Sequence, residues 1–150
     1  DSDWAIVGVR RRGVPLAELL GERLEELLDE APERTELELK RYSDELEILH
    51  DRPKLEDAAF DLDVEARSIV LVDDVLFTGR TLHRAVEFLI RRGAGRVEPV
   101  VLCRRGVPEI PVRTAVCGMR LDVGEERLVE VEIPPYEDAL GVSIRSRPAQ

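Results

Sequence analysis

Aromatic residues are scarce in this 150-residue chain: one tryptophan, two tyrosines and three phenylalanines, 4% of the total. The sequence therefore reveals no stacking platform for single-stranded nucleic acid. Cysteine is almost as rare, and Cys103 and Cys117 make neither a disulfide framework nor a zinc site. Both read as small buried apolar residues. No apolar run approaches the ~20 residues of a membrane-spanning helix. The stretch Trp4 to Val9 is too short for a signal-peptide core and precedes three arginines, the reverse of a signal's order. Internal repeats, low-complexity tracts and Gly-, Pro- or Ser-rich linkers are lacking, so one domain over residues 1–150 is expected. Hydrophobic residues at 43% suffice for a core. A soluble, cytoplasmic, membrane-free protein is the resulting expectation.

Positive charge is also in short supply. The net charge is −10, which argues against a surface that coats nucleic acid or anionic membrane. Residues 1–75 carry a net −12, and residues 76–150 carry a net +2. Only Lys40 and Lys54 are lysines; the other 20 basic residues are arginine, the side chain suited to two-pronged binding of phosphate and carboxylate.

What is present alternates between strand and helix patterns. Trp4–Val9 reads as a buried parallel strand and Arg10–Gly13 as a turn. Pro15 suits the first position of a helix running to about Asp29, with an apolar face of Leu16, Leu19, Leu20, Leu24, Leu27 and Leu28. Thr35–Tyr42 alternates as a half-exposed strand. Ser43–Glu65 is polar and aperiodic, as long functional lids often are. Arg67–Asp73 is the strongest buried-strand signal, followed by a helix over about Thr81–Arg92 closed by Gly93 and Gly95. Val97–Cys103, interrupted by Pro99, then Thr114–Cys117 and Leu128–Ile133 read as further strands, with Arg104–Pro111 a loop. The order predicts an α/β domain with a mostly parallel sheet.

One segment carries chemistry. In Ile69-Val-Leu-Val-Asp-Asp-Val-Leu-Phe-Thr-Gly-Arg-Thr81 an apolar strand ends in two adjacent carboxylates, and Thr78-Gly-Arg-Thr81 opens a helix. Ligands of open parallel sheets bind beyond the carboxyl ends of strands. A helix start offers unpaired N–H groups and a positive dipole end for a phosphate. Gly79 lets backbone approach closely, and the Thr78 and Thr81 hydroxyls add donors. Asp73 and Asp74 can accept hydrogen bonds from vicinal hydroxyls or hold a metal directly or through water. A sugar with adjacent hydroxyls and a phosphate satisfies all of these.

The segment resembles the phosphoribosyl pyrophosphate (PRPP) motif of type I phosphoribosyltransferases. More narrowly, the chain is similar to the PyrR family of pyrimidine-operon attenuation regulators that are also uracil phosphoribosyltransferases. The resemblance is carried by Ile6–Leu16, Arg41–Leu46, Val70–Thr81 and Arg105–Arg113, in the family's order. It implies the type I fold, a twisted sheet flanked by helices with a small C-terminal hood. It implies a transferase of pyrimidine salvage that joins uracil to PRPP with Mg2+, releasing pyrophosphate. By the same resemblance Asp73 and Asp74 hold the ribose, and Thr78, Gly79, Arg80 and Thr81 cradle the 5′-phosphate. Arg10, Arg11 and Arg12 bind pyrophosphate, 43–65 forms the lid, and Arg104, Arg105, Gly106 and Val107 form the base loop. A homodimer or higher homo-oligomer is the family's habit.

The chain also departs from that family. The helical segment usual before the first strand is lacking, Ser43 stands where an arginine is normal, and the usual Asp-Arg-Gly-His of the base loop is Arg104-Arg-Gly-Val107. A Ser-Arg-Ser-Glu type segment is replaced by Val123–Arg127. Phe77 stands where related purine enzymes often carry an aspartate, which fits a pyrimidine. His83 reads as packing, and His50 has no assigned role. The alternatives are a PRPP- or nucleotide-sensing regulator of pyrimidine genes with weak catalysis, and a transferase for another base. RNA contact would fall to a patch of Arg91, Arg92, Arg96, Arg104 and Arg105.

Overall fold

The computed structural model describes residues 3–39, 60–106, 112–124 and 126–146. Five strands form one parallel sheet: β1 (Trp4–Val9), β2 (Glu33–Leu37), β3 (Ser68–Leu76), β4 (Arg96–Arg105) and β5 (Val116–Leu121), in spatial order β2-β1-β3-β4-β5. Helix α1 (Gly13–Leu28) follows β1, and α2 (Arg80–Arg91) follows β3. A separate antiparallel hairpin, β6 (Arg127–Glu132) with β7 (Gly141–Ser146), forms the C-terminal hood.

The sheet is apolar on both faces because a helix covers each. Ala5, Val7, Ile69 and Leu71 pack with Leu82, Ala85, Phe88 and Leu89 of α2. The alternate residues Ile6, Val70 and Val72 pack with Leu16, Ala17, Leu20 and Leu24 of α1. That two-residue period splits each strand between two cores, which is why β1 and β3 read as continuous apolar runs. Among the described residues no helix is long and apolar enough to cross a membrane.

Several elements differ from their sequence pattern. Helix α1 begins at Gly13, so Pro15 is its third residue. Its buried stripe is Gly13, Ala17 and Gly21, while Leu19, Leu27 and Leu28 are exposed, Leu27 by 68%. Small residues win because the helix lies very close to the sheet: a Cβ on Gly13 would stand 2.5 Å from the Val72 carbonyl oxygen. Strand β2 ends at Leu37, earlier than the alternation suggested, and residues from 40 lie outside the description. Of the segment expected as a lid, 43–59 also lie outside it. Phe60 and Val64 are not lid residues but core, and the Phe60 ring meets Phe88 edge-on at 5.5 Å. The intervening Asp61 and Asp63 had disguised them.

Strand β4 extends through Arg104 and Arg105, which were expected in a loop. Pro99 is tolerated there because its carbonyl, and hence the side of its missing N–H, faces the entry to β5, where it accepts from the Ala115 N–H at 2.7 Å. Strand β5 starts later than expected, and β7 has no counterpart in the pattern reading.

Candidate functional site

The chain runs from β1 outward to β2, then returns across to β3 on the other side of β1. The carboxyl ends of β1 and β3 therefore flank the point where the winding reverses, the place where open α/β sheets leave a crevice. Register puts Gly8 beside Val72, so the arginine turn after β1 leaves next to the aspartates of β3. A cleft of about 690 Å³ opens here, lined by Arg10, Arg11, Arg12, Glu38, Leu39, Asp73, Asp74, Val75 and Thr81 among others. Residues far apart in sequence and selected for different chemical reasons thus face one cavity.

The aspartates are not equivalent. Strand β3 continues to Leu76, so both lie within the strand rather than at its end. Asp73 is 7% exposed, and its Oδ1 accepts the Asp74 N–H at 2.8 Å. Asp74 is more open and also borders a second cavity of about 340 Å³ beneath the hood. The buried member is held by a backbone N–H, and both line the cleft.

Arg10 leans toward β2, whereas Arg11 and Arg12 lean on Tyr136 and Glu137. Arg10 reaches Glu38 at 3.0 Å and Glu36 at 3.6 Å on the β2 side, in half-exposed contacts of the kind that contribute little stability. Arg11 lies over the Tyr136 ring at 5.0 Å. Arg12 pairs with Glu137 at 2.7 Å. The hydrogen bond to Glu137 raises the Arg12 pKa further, opposed by partial burial and aided by Asp74 and Glu130. The same bond from Arg12, with the Ile133 N–H, holds the Glu137 carboxyl below the usual carboxylate range.

The turn Thr78–Thr81 is only partly in the cleft. Thr81 lines it; Thr78, Gly79 and Arg80 are not among the lining residues. Gly79 caps α2 with φ 86°, a left-handed conformation that a side chain would disfavour. The Arg80 N–H donates to the Thr78 hydroxyl at 3.3 Å, so that hydroxyl acts as an acceptor within the turn.

The base-loop residues divide. Arg104 donates to the Gly106 carbonyl at 3.3 Å, and neither lines the cleft. Arg105 is buried, donates to the Gly124 carbonyl at 2.9 Å and stacks over Phe77 at 4.2 Å. Phe77 keeps 40% exposure. Val107 lies outside the description. The five arginines suggested as an RNA patch do not come together. Arg96 and Arg105 are the two ends of β4, about 30 Å apart at ~3.3 Å per residue. Arg92 is engaged over Phe88 and Phe60, and Arg96 pairs with Glu98. Of the other single residues, His83 contacts Glu87 one turn along α2, and Cys103 is buried, its thiol pushed up to about 11 chiefly by burial. Tyr136, Glu137 and the Phe77–Arg105 stack are contacts the sequence reading missed. Their partners are distant in sequence, and Pro-Pro-Tyr-Glu carries no pattern of its own.

A five-stranded parallel sheet, a switch-point crevice and a glycine-capped helix after paired carboxylates define the type I phosphoribosyltransferase fold. Solved structures agree on that fold. The hypoxanthine phosphoribosyltransferase of Trypanosoma cruzi matches with TM-score 0.72 at 13% identity, over 96% of this chain and 77% of that one. A hypoxanthine-guanine-xanthine phosphoribosyltransferase matches with TM-score 0.68 at 16% identity, over 98% and 82%. The sequence profile of the phosphoribosyl transferase domain matches residues 1–133. Bifunctional protein PyrR of Clostridium novyi is 34% identical over 143 residues, 95% of this chain and 80% of that protein. Its namesake in Haemophilus influenzae is 34% identical over 146 residues, 95% and 82%. The chain belongs to the phosphoribosyltransferase family and, within it, to the PyrR proteins.

Proposed function

We propose that this phosphoribosyltransferase joins uracil to PRPP, giving uridine monophosphate and pyrophosphate. The observation that carries the reading is the convergence of Arg10–Arg12, Asp73, Asp74 and Thr81 on one switch-point cleft. Asp73 and Asp74 accept hydrogen bonds from the ribose hydroxyls. The turn Thr78–Thr81 receives the 5′-phosphate on its N–H and hydroxyl donors. Arg10, Arg11 and Arg12 meet the pyrophosphate. The C1′–O bond breaks early, and the arginines stabilise charge gathering on the departing group, while the aspartates favour the oxocarbenium-like ribose.

Mg2+ suits the donor set. Asp73 and Asp74, carboxylates on the cleft, would hold the ion directly or through water, together with oxygens of the substrate. When bound, the ion neutralises pyrophosphate charge and aids its departure. The base stacks on the open face of Phe77, whose other face carries Arg105. Phe77 has no titratable group, so the proton that the base nitrogen loses as its bond to C1′ forms passes to the departing pyrophosphate or to solvent. Such substrates go with a cytoplasmic location.

The test is pyrophosphate release from PRPP and Mg2+ with uracil, hypoxanthine, guanine, xanthine, adenine or orotate, alongside a control without base. Release with uracil alone is expected. Release with another base would replace the substrate and keep the mechanism. Silence with every base, together with measurable PRPP binding, would make the protein a sensor instead.

A further inference from the structure

The connection between β6 and β7 reaches back to the arginine turn and grips it. Glu137 receives Arg12 through two N–H groups, Nε to Oε1 at 3.2 Å and Nη2 to Oε2 at 2.7 Å. Its Oε1 also accepts the Ile133 N–H at 2.9 Å. The N–H groups of Tyr136 and Glu137 both donate to the Ile133 carbonyl, at 3.0 and 3.1 Å, which closes residues 133–137 into a compact turn. The Tyr136 ring lies against both guanidinium groups, 5.0 Å from that of Arg11 and 5.3 Å from that of Arg12. Arg12 borders the main cleft and the cavity under the hood, whereas Glu137 borders only the latter. The carboxylate thus holds Arg12 from the side away from the main cleft.

We propose that Tyr136 and Glu137 are positioning residues that set Arg11 and Arg12 in place before a diphosphate arrives. Two effects oppose each other. The Glu137 charge weakens the pull of Arg12 on an anion. Against this, a long flexible arginine loses much side-chain freedom when a ligand fixes it, and a brace removes that loss from the binding step. Glu137 uses two of the five guanidinium donors and leaves three for the ligand. Two arginines are braced and only one is ion-paired, so ordering outweighs the charge. The hood thereby couples to the arginine turn of the site.

The inference rests on reading Arg10–Arg12 as the pyrophosphate turn, and the experiment separates the two. Inorganic pyrophosphate with Mg2+ is titrated calorimetrically into the wild type and into Arg12→Ala, Glu137→Ala, Glu137→Gln and Tyr136→Leu, with steady-state KM for PRPP and kcat measured in parallel. Glu137→Ala and Tyr136→Leu are each expected to weaken pyrophosphate binding about tenfold and to raise the KM for PRPP, with kcat nearly unchanged. Glu137→Gln keeps one acceptor oxygen for Arg12 Nε and the Ile133 N–H but loses the bond from Nη2, and should restore part of the affinity. Unchanged or tighter binding in Glu137→Ala overturns the brace, the tighter result making Glu137 a competitor of the ligand. If Glu137→Ala does not fold, Tyr136→Leu decides by the same criterion. Loss of binding in Arg12→Ala alone would leave the pyrophosphate turn standing without the brace. Wild-type binding in Arg12→Ala would remove both.

Discussion

The two halves of the site are built in different ways. The half assigned to PRPP comes from two short contiguous segments, Arg10–Gly13 and Asp73–Thr81, each leaving the end of a central strand. Sheet register and the contact of Gly13 with Val72 hold them together. The half assigned to the base is assembled from pieces far apart: Phe77 after β3, Arg105 at the end of β4 and the Gly124 carbonyl that anchors it. The first half depends on backbone geometry, the second on side-chain stacking. Backbone-built sites are intolerant of added atoms. Side-chain-built sites are adjustable.

That contrast can be broken or sharpened by substitution. The largest effect is expected from Asp74→Asn, which keeps the shape but removes the charge proposed to face the ribose. Turnover should fall about a hundredfold or more, read by pyrophosphate release at saturating base. Gly13→Ala should come next. The new methyl would meet the Val72 carbonyl, and overpacking of this kind costs about 1–3 kcal/mol, visible as a lower Tm with loss of PRPP affinity. In the other half, Phe77→Leu should raise the KM for the base about tenfold while leaving the KM for PRPP near wild type. If the two KM values rise together, the halves are not separable.

Smaller effects follow from titration. Glu137 loses its proton more readily in the folded chain than in the unfolded one, because Arg12 and the Ile133 N–H favour the charged form. Its contribution is therefore complete above the unfolded value of about 4.3 and disappears as pH falls through the lower folded value. Glu137→Gln should be less stable than wild type at pH 7, lose stability less steeply as pH falls across that range, and match wild type once Glu137 is protonated. Cys103 should be the mildest reporter: buried, with its thiol pushed up to about 11, it should resist alkylation at pH 8 in the native protein and react once unfolded.

Legibility in the sequence follows the same division. Strands β1 and β3 and helix α2 were readable because burial on both sheet faces leaves uninterrupted apolar runs, and because Asp-Asp followed by Thr-Gly-Arg-Thr encodes its own local geometry. The docking face of α1 was legible in part: Leu16, Leu20 and Leu24 do pack on the sheet, whereas Leu19, Leu27 and Leu28 are exposed and the quieter stripe Gly13, Ala17 and Gly21, whose value lies in close approach, gave no signal. Phe60 and Val64 were hidden by charged neighbours. Arg105 looked like loop surface, although its burial depends on Phe77 and Gly124, which no sequence window contains. Tyr136 and Glu137 were invisible for the same reason, their partners being more than a hundred residues away. Local chemistry was legible, and pairings between distant segments were not.

The most direct test of the account is a crystal structure of the protein with PRPP and Mg2+. It should place the pyrophosphate within hydrogen-bonding distance of Arg10–Arg12, the ribose hydroxyls on Asp73 and Asp74, and the 5′-phosphate on the turn Thr78–Thr81. A ligand seated elsewhere, or one whose ribose turns away from both aspartates, would contradict it.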